Sequence, residues 1–196
     1  MKFIIATIAT IATLLALPTS AVAQQSPAPK AKILAAPEDP RLKTILVGRS
    51  EADGVIIQFE IEPAMTMLMP MGSPSKLVEH APAAGEVYHL EVKPADPRSK
   101  TRIAYAVVTF EAVNRDNGKT MKGALHPMWG SSGLHYAANS TLAGDGAYDV
   151  VITVQPPSFS RSVKDKDLFS VPATARFHFK LGNGALTEVS EPLPPG

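Results

Sequence analysis

The chain has 196 residues, no cysteine, and 19 Lys and Arg against 18 Asp and Glu. This length predicts one domain with tails, and without disulfides its stability has to come from an apolar core. The balanced charge argues against a nucleic acid or an anionic membrane as partner, because both attract a basic surface.

The first residues have the pattern of a secretory signal peptide. Lys2 precedes an apolar run of about 15 residues from Phe3 to Leu17, which Pro18 ends, and the small residues Ala21-Val22-Ala23 then form a cleavage site. A membrane span needs roughly 20 apolar residues, so we predict cleavage after Ala23, export to the periplasm and no membrane insertion after cleavage. Cleavage removes Lys2, so the 19 Lys and Arg become 18 and equal the 18 Asp and Glu.

Composition divides the rest of the chain into three parts. Residues 24–40 are rich in Pro, Ala and Gln and are expected to form a flexible leader, and residues 188–196 are expected to form a Pro-rich tail. Between them, residues 41–187 alternate apolar and polar side chains. Strands are predicted at residues 54–61, 86–93, 101–113, 119–127, 146–155 and 171–181.

Turn signals separate these strands. Asn117-Gly118 predicts a hairpin with a type I′ turn, in which both central residues have positive φ. Gly182-Asn183-Gly184 marks another turn after the last predicted strand. Short strands separated by such turns predict an all-β fold, an immunoglobulin-like antiparallel β-sandwich.

Candidate metal ligands occur on one predicted strand. His89 and Glu91 are two residues apart, so a strand places both side chains on one face, while Tyr88, Leu90 and Val92 face the core. A solvated strand face is the commoner origin of such a pair, and both interpretations stay open.

Further candidate ligands flank a short loop. His126-Pro127-Met128 ends a predicted strand, and a Gly- and Ser-containing loop leads from Met128 to His135. A thioether beside imidazoles suits a soft or borderline ion, above all copper. Met128 could instead fill the core, and Trp129 is expected to be a packing residue rather than a ligand.

A methionine-rich segment has no single explanation. Met65, Met67, Met69 and Met71 alternate along residues 65–71, so an extended chain places four thioethers on one side. They either plug a hydrophobic seam or dimer contact, or offer a docking site for Cu(I). His80 is expected to be exposed, and no role is predicted for His178.

The sequence gives little support for an enzyme. Several serines lie near His135, but no Gly-x-Ser-x-Gly motif is present, nor a phosphate-binding glycine loop or a dinucleotide-binding fingerprint. We therefore predict a non-enzymatic binding protein.

The segment from His126 to Asn139 resembles the signature of the periplasmic proteins of bacterial high-affinity iron uptake. These proteins carry Met-Pro-Met, a short Ser/Asp-Gly loop and a His-Tyr-Gly-Ala-Asn motif, where this chain has His-Pro-Met, Ser-Ser-Gly and His-Tyr-Ala-Ala-Asn. The resemblance spans roughly residues 54–161, and His89 and Glu91 fall at the family's His-x-Glu.

The resemblance implies an immunoglobulin-like homodimer that binds copper and iron beside an inner-membrane iron permease. Its copper ligands are two or three histidines, a methionine and a glutamate, which correspond to His89, Glu91, Met128 and His135. The leading prediction is thus a periplasmic copper- and iron-binding protein for iron uptake. The alternatives are a copper chaperone or tolerance protein unrelated to iron, and an interaction module whose metal site has degenerated.

The chain departs from the family pattern in three places. Ser162 follows Arg161 where the family has a histidine, Pro94-Ala95-Asp96 replaces a region with another histidine, and His126 replaces the first methionine of Met-Pro-Met. We predict that His126 supplies a missing imidazole, because it lies two residues from Met128 on one strand face. Unchanged Cu(II) affinity after His126→Ala would exclude this.

Overall fold

The structure is a computed structural model that describes residues 30–191. The predicted signal peptide and the last residues of the predicted tail lie outside this range. Within residues 30–191, no helix is long and apolar enough to cross a membrane.

The described residues form strands, connecting loops and one turn of 3₁₀ helix at Val163–Asp165. The strands are β1 Ala31–Glu38, β2 Ile45–Ala52, β3 Val55–Pro63, β4 Met67–Met71, β5 Lys76–His80, β6 Tyr88–Ala95, β7 Val108–Asn114, β8 Thr120–Gly130, β9 Gly133–Ser140, β10 Gly146–Val154, β11 Ala173–Gly182 and β12 Ala185–Ser190.

The strands build two layers that share β8. The hydrogen-bonded order is β1-β12-β11-β10-β7-β8-β9-β6-β3-β2, with β4 and β5 as a separate hairpin. Residues 120–125 of β8 pair with β7, and residues 126–130 pair with β9, so β8 passes from the first layer (β1, β12, β11, β10, β7) to the second (β9, β6, β3, β2). All pairings are antiparallel, which confirms the predicted all-β, immunoglobulin-like sandwich.

The core lies between the layers and is rich in aromatic rings. Phe59 of β3 lies 5.6 Å from Phe177 of β11, measured between ring centroids, and Tyr148 of β10 stacks on Phe179 at 4.7 Å. These four side chains are buried. The alternation that predicted β3, β10 and β11 thus marks the face that packs in the core, and Ile56, Glu60 and His178 on the opposite faces are buried as well.

Two local predictions differ from the structure. Residues 101–107 are not a continuation of β7, because Tyr136 accepts a hydrogen bond from the Ala106 amide and donates one to the Ile103 carbonyl, which holds this segment as a loop. At the β7–β8 connection only Gly118 has positive φ (69°), and its amide donates to the Asn114 carbonyl across a longer loop. The predicted type I′ turn is therefore wrong there.

Two segments near the limits of residues 30–191 form strands that their composition did not predict. Strand β1 occupies residues 31–38 of the expected flexible leader, and β12 extends to Ser190 inside the expected tail. The two strands pair antiparallel, with Ala31 opposite Ser190 and Ile33 opposite Glu188. Backbone hydrogen bonds between distant segments do not require strong side-chain alternation, so composition alone missed them.

Candidate metal centre

Strand β6 is buried on both faces. Tyr88, Leu90 and Val92 face the core as predicted, but His89 and Glu91 on the opposite face are only 0% and 2% exposed. The interpretation of this pair as a solvated strand face is therefore excluded. Burying an imidazole and a carboxylate is costly unless hydrogen bonds or charges compensate, so their partners identify what the site can do.

A cleft of about 630 Å³ lies over this polar face. Its walls are the segment that enters the β4–β5 hairpin and the β8–β9 turn, and its floor includes side chains of β6 and β9. The lining residues are Thr44, Glu62, Met65, Thr66, Met67, Leu68, Glu91, Lys93, Pro127, Met128, Trp129, Gly130, Ser131, Ser132 and His135.

The tautomer of His89 follows from its partner. The Asn139 amide is fixed by Met65, whose backbone N–H donates to Oδ1 and whose carbonyl accepts from Nδ2. Asn139 Oδ1 lies 2.9 Å from His89 Nδ1, so Nδ1 carries the proton and donates it. The other ring nitrogen, Nε2, therefore has a lone pair, and it is buried with no hydrogen-bond partner in residues 30–191.

His135 has the same tautomer for a different reason. Its Nδ1 lies 2.9 Å from the Gly133 carbonyl, which can only accept, so Nε2 again holds the lone pair. A Cβ at Gly130 would lie 3.0 Å from His135 Cε1, so glycine there lets the turn approach the ring. Met128 is the direct cross-strand partner of His135, which places a thioether beside the imidazole.

Three polar groups lie close to one oxygen of the Glu91 carboxylate. Oε1 lies 3.0 Å from Lys93 Nζ, 3.4 Å from His135 Nδ1, and 3.0 Å from the Ser132 hydroxyl, which donates to it. Burial alone raises the pKa of this carboxyl, but the hydrogen bonds from Lys93 and Ser132 and the Lys93 charge outweigh it, so the pKa lies below its usual value. Glu91 is thus an ionised, oriented carboxylate.

Lys93 was not predicted as part of the site. Its Nζ lies 2.5 Å from Glu60 Oε2 as well as 3.0 Å from Glu91, and its side chain is 7% exposed. Burial lowers the pKa of a lysine, but hydrogen bonds to Glu60 and Glu91 raise it above the usual value. The sequence signal was its i+2 spacing from Glu91, which places it on the same face.

The structure unites only some of the predicted ligands. Glu91, Met128 and His135 line one cleft, whereas His89 does not line it and is joined to it through Asn139 and Met65. His89 pairs with Asn139, four residues beyond His135, which corresponds to about 13 Å along the strand. His126 lies on the same strand face as Met128, opposite Ala137 of β9, but it is exposed and does not line the cleft.

Histidines and carboxylates alone do not form a ligand set. Within residues 30–191, no group of three or more His, Cys, Asp or Glu side chains is arranged to hold a metal ion. Thioethers add to the donors, because Met65 and Met67 line the cleft with Met128, and Met67 is buried, whereas Met71 is 57% exposed. The methionine segment is thus divided between the cleft and the surface.

The remaining expectations concern single side chains. Trp129 is 81% exposed at the β8–β9 turn, where it lines the cleft, so its predicted packing role is wrong. His80 is exposed as expected.

Sequence comparison identifies the family. A profile described as "Fe2+ transport protein" matches residues 74–178, just over half of the chain. The chain belongs to this Fe2+ transport protein family. It is also 32% identical over 162 residues to a UPF0423 protein of Brucella abortus and equally to one of Brucella suis, an alignment that covers 74% of this chain and 81% of each relative. The family match includes His89, Glu91, Met128 and His135.

Solved structures share the fold of this family member. FetP of uropathogenic E. coli strain F11, recombinantly expressed in the periplasm of E. coli, is 24% identical, with a TM-score of 0.58 and coverage of 71% of this chain and 97% of FetP. The copper-reconstituted P19 protein of Campylobacter jejuni is 21% identical, with a TM-score of 0.58 and coverage of 76% and 100%. At these identities the similarity establishes the sandwich fold.

Proposed function

We propose that the protein is a periplasmic metal carrier that binds copper, and secondarily iron, and assists iron uptake with an inner-membrane permease. The observation that carries this proposal is the His135 imidazole, whose Nε2 keeps its lone pair, beside the Met128 thioether in the cleft. The buried, unpartnered Nε2 of His89, held in its tautomer by the fixed Asn139 amide, supports it. A hydrogen bond from the ring nitrogen that faces away from the ion orients a metal-binding histidine, and a buried acceptor without a partner is otherwise destabilising.

The cleft supplies donors that suit copper. His135 offers Nε2, and Met128 stands beside it as a soft sulfur donor, with Met65 and Met67 lining the same cleft. Imidazole together with thioether favours copper over hard divalent ions, and Cu(I) most of all. Copper-bound structures of FetP and P19, which share this fold, support the assignment.

Iron binding is the weaker part of the proposal. Membership in the Fe2+ transport protein family supports it. His126 is proposed as a substitute ligand only if it moves, because it is exposed on the strand face next to the cleft. Export by the signal peptide, homodimer formation and a permease partner remain parts of the same carrier hypothesis.

Native mass spectrometry of residues 24–196 tests the proposal. We expect one tightly bound copper per chain when Cu, Fe and Zn are offered, and loss of about 100-fold or more in copper affinity in His135→Ala and Met128→Leu, because each removes a donor. His80→Ala, which changes an exposed histidine outside the cleft, is the matched control. No stoichiometric metal binding would contradict the proposal and favour the interaction module.

A copper chaperone unrelated to iron is the second candidate. The three thioethers that line the cleft, Met65, Met67 and Met128, favour it, since sulfur donors suit Cu(I) better than iron. Gene neighbourhood separates the two functions: an adjacent iron permease supports the iron-uptake carrier, and an adjacent cytochrome oxidase assembly cluster supports the chaperone.

A further inference from the structure

The polar face of β6 contains a charged network that extends beyond the candidate ligands. Gln58 donates to Glu60, Glu60 accepts from Lys93, and Lys93 also contacts Glu91, which accepts from Ser132 at the cleft. Glu60, Glu91 and Lys93 are each less than 10% exposed. Buried charges of this kind are costly, so the arrangement is specified by the sequence rather than incidental.

The charges of this network are already compensated. Two carboxylates, Glu60 and Glu91, share the Lys93 ammonium, and Arg102 adds a second positive charge whose Nη1 lies 3.5 Å from the Lys93 carbonyl. When a carboxylate binds a divalent ion, its negative charge normally balances the positive charge of that ion. Here the negative charge of Glu91 is balanced instead by the Lys93 ammonium on the same strand.

We propose that Lys93 is the residue that determines ion selectivity in this protein: its ammonium withholds Glu91 from hard divalent ions and leaves the cleft to soft, monovalent copper. The inference rests on the proposed copper site. Lys93 Nζ lies 3.0 Å from Glu91 Oε1, so its charge would stand beside any metal bound by that carboxylate, and His135 and Ser132 are neighbours of the same oxygen.

The electrostatic consequence depends on the charge of the ion. A divalent ion beside Glu91 meets twice the repulsion from Lys93 that a monovalent ion meets, and the burial of Lys93 and Glu91 limits the screening of this repulsion by water and salt. Cu(I) bound by imidazole and thioether does not need the carboxylate. Lys93 therefore reduces the affinity for Fe2+-like ions more than that for Cu(I).

Paired titrations of Lys93→Gln with Mn2+ and Cu(I) test the inference. Mn2+ binding is followed by the electron paramagnetic resonance of the free ion, and Cu(I) binding by competition with a coloured chelator. We expect Mn2+ affinity to rise by about tenfold or more, because a charge near the ion is removed, and Cu(I) affinity to change by less than about threefold. Lys93→Arg, which keeps the charge, should resemble the unmodified protein.

Two further variants make the result decisive. Lys122→Gln removes an exposed lysine outside the cleft and controls for the change in net charge. Glu60→Gln combined with Lys93→Gln removes both members of the Glu60–Lys93 ion pair, so it leaves Glu91 free without changing the net charge. This double variant replaces Lys93→Gln if the single variant does not fold.

The two hypotheses fail in different ways. Suppose that the unmodified protein binds copper. If Mn2+ affinity is then unchanged in Lys93→Gln and in the Glu60→Gln/Lys93→Gln double variant, or if the affinities for both ions rise equally, Lys93 has no role in selectivity and the copper site stands. If the unmodified protein binds no copper, the proposed function fails and the selectivity inference fails with it.

Discussion

His89 and His178 are both buried on strand faces that point away from the core, but they differ in what their ring nitrogens contact. His178 on β11 is 7% exposed, accepts from Arg115 at Nδ1 (3.2 Å) and contacts Glu188 at Nε2 (3.0 Å). His89 on β6 is 0% exposed and has a partner at Nδ1 only.

The comparison shows that burial alone does not identify a metal ligand. His178 uses both nitrogens within the protein, so binding a metal would require breaking one of these contacts. His89 keeps a lone pair that nothing in residues 30–191 satisfies. A buried group without a partner is destabilising, and proteins retain such groups mainly where function requires them.

Replacement of His178 by leucine is expected to have the largest effect on stability. His178→Leu loses the contacts to Arg115 and Glu188, so we expect the free energy of unfolding to fall by about 2 kcal/mol in urea denaturation. Copper affinity should stay within about twofold, since β11 does not contribute to the cleft. His80→Leu, at an exposed position, is the control. Loss of copper binding in His178→Leu would remove the distinction between the two histidines.

The buried hydroxyl of Tyr136 is a second polar group that, like His178, has its hydrogen-bond partners within the protein. Tyr136 donates to the Ile103 carbonyl (3.0 Å) and accepts from the Ala106 amide (3.1 Å). Tyr136→Phe should therefore lower the free energy of unfolding by about 1 kcal/mol near neutral pH. The check is urea denaturation at several pH values, with Tyr105→Phe as the exposed control.

The pH dependence of this variant has a defined sign. Burial raises the pKa of Tyr136 above its usual value of 10.0, so its neutral form contributes stability that is complete below pH 10 and is lost as pH rises through the folded-state pKa. Tyr136→Phe should lose less stability above pH 10 than the unmodified protein. An identical alkaline decline in both proteins would contradict this.

The sequence predicted those parts of the fold that depend on side-chain alternation. Val55 to Ile61 and Tyr148 to Val154 alternate apolar side chains, and both segments are strands whose alternating apolar face is buried in the core. Pairings governed by the backbone, such as β1 with β12, leave little trace in side-chain patterns and were missed. Asn183-Gly184, not Asn117-Gly118, has positive φ at both residues, because the longer β7–β8 loop includes additional residues.

The candidate site was predictable in composition but not in arrangement. The i+2 rule placed His89 and Glu91 on one face, and softness of the donors singled out Met128 and His135. Nothing in the pattern indicated that this face would be buried, because the cover comes from the distant segment at Met65. Lys93 was overlooked for the same reason: a lysine on an exposed face would need no explanation, whereas a buried one does.

Replacement of His89 by leucine should have the smallest effect on stability and still change function. His89→Leu removes a buried nitrogen that has no partner, and Asn139 Oδ1 keeps its contact with the Met65 amide at 3.3 Å. We therefore expect the free energy of unfolding of the metal-free protein to change by less than about 0.5 kcal/mol. Because the lone pair is lost, the rise in melting temperature on adding copper should shrink.

His89→Leu and His178→Leu thus form a reciprocal pair, measured by urea denaturation without metal and by thermal unfolding with copper. If His89→Leu destabilises the metal-free protein as strongly as His178→Leu and leaves the copper-induced shift intact, His89 is a structural residue. The site would then reduce to the donors at the cleft itself, His135 and Met128, with Glu91 held by Lys93.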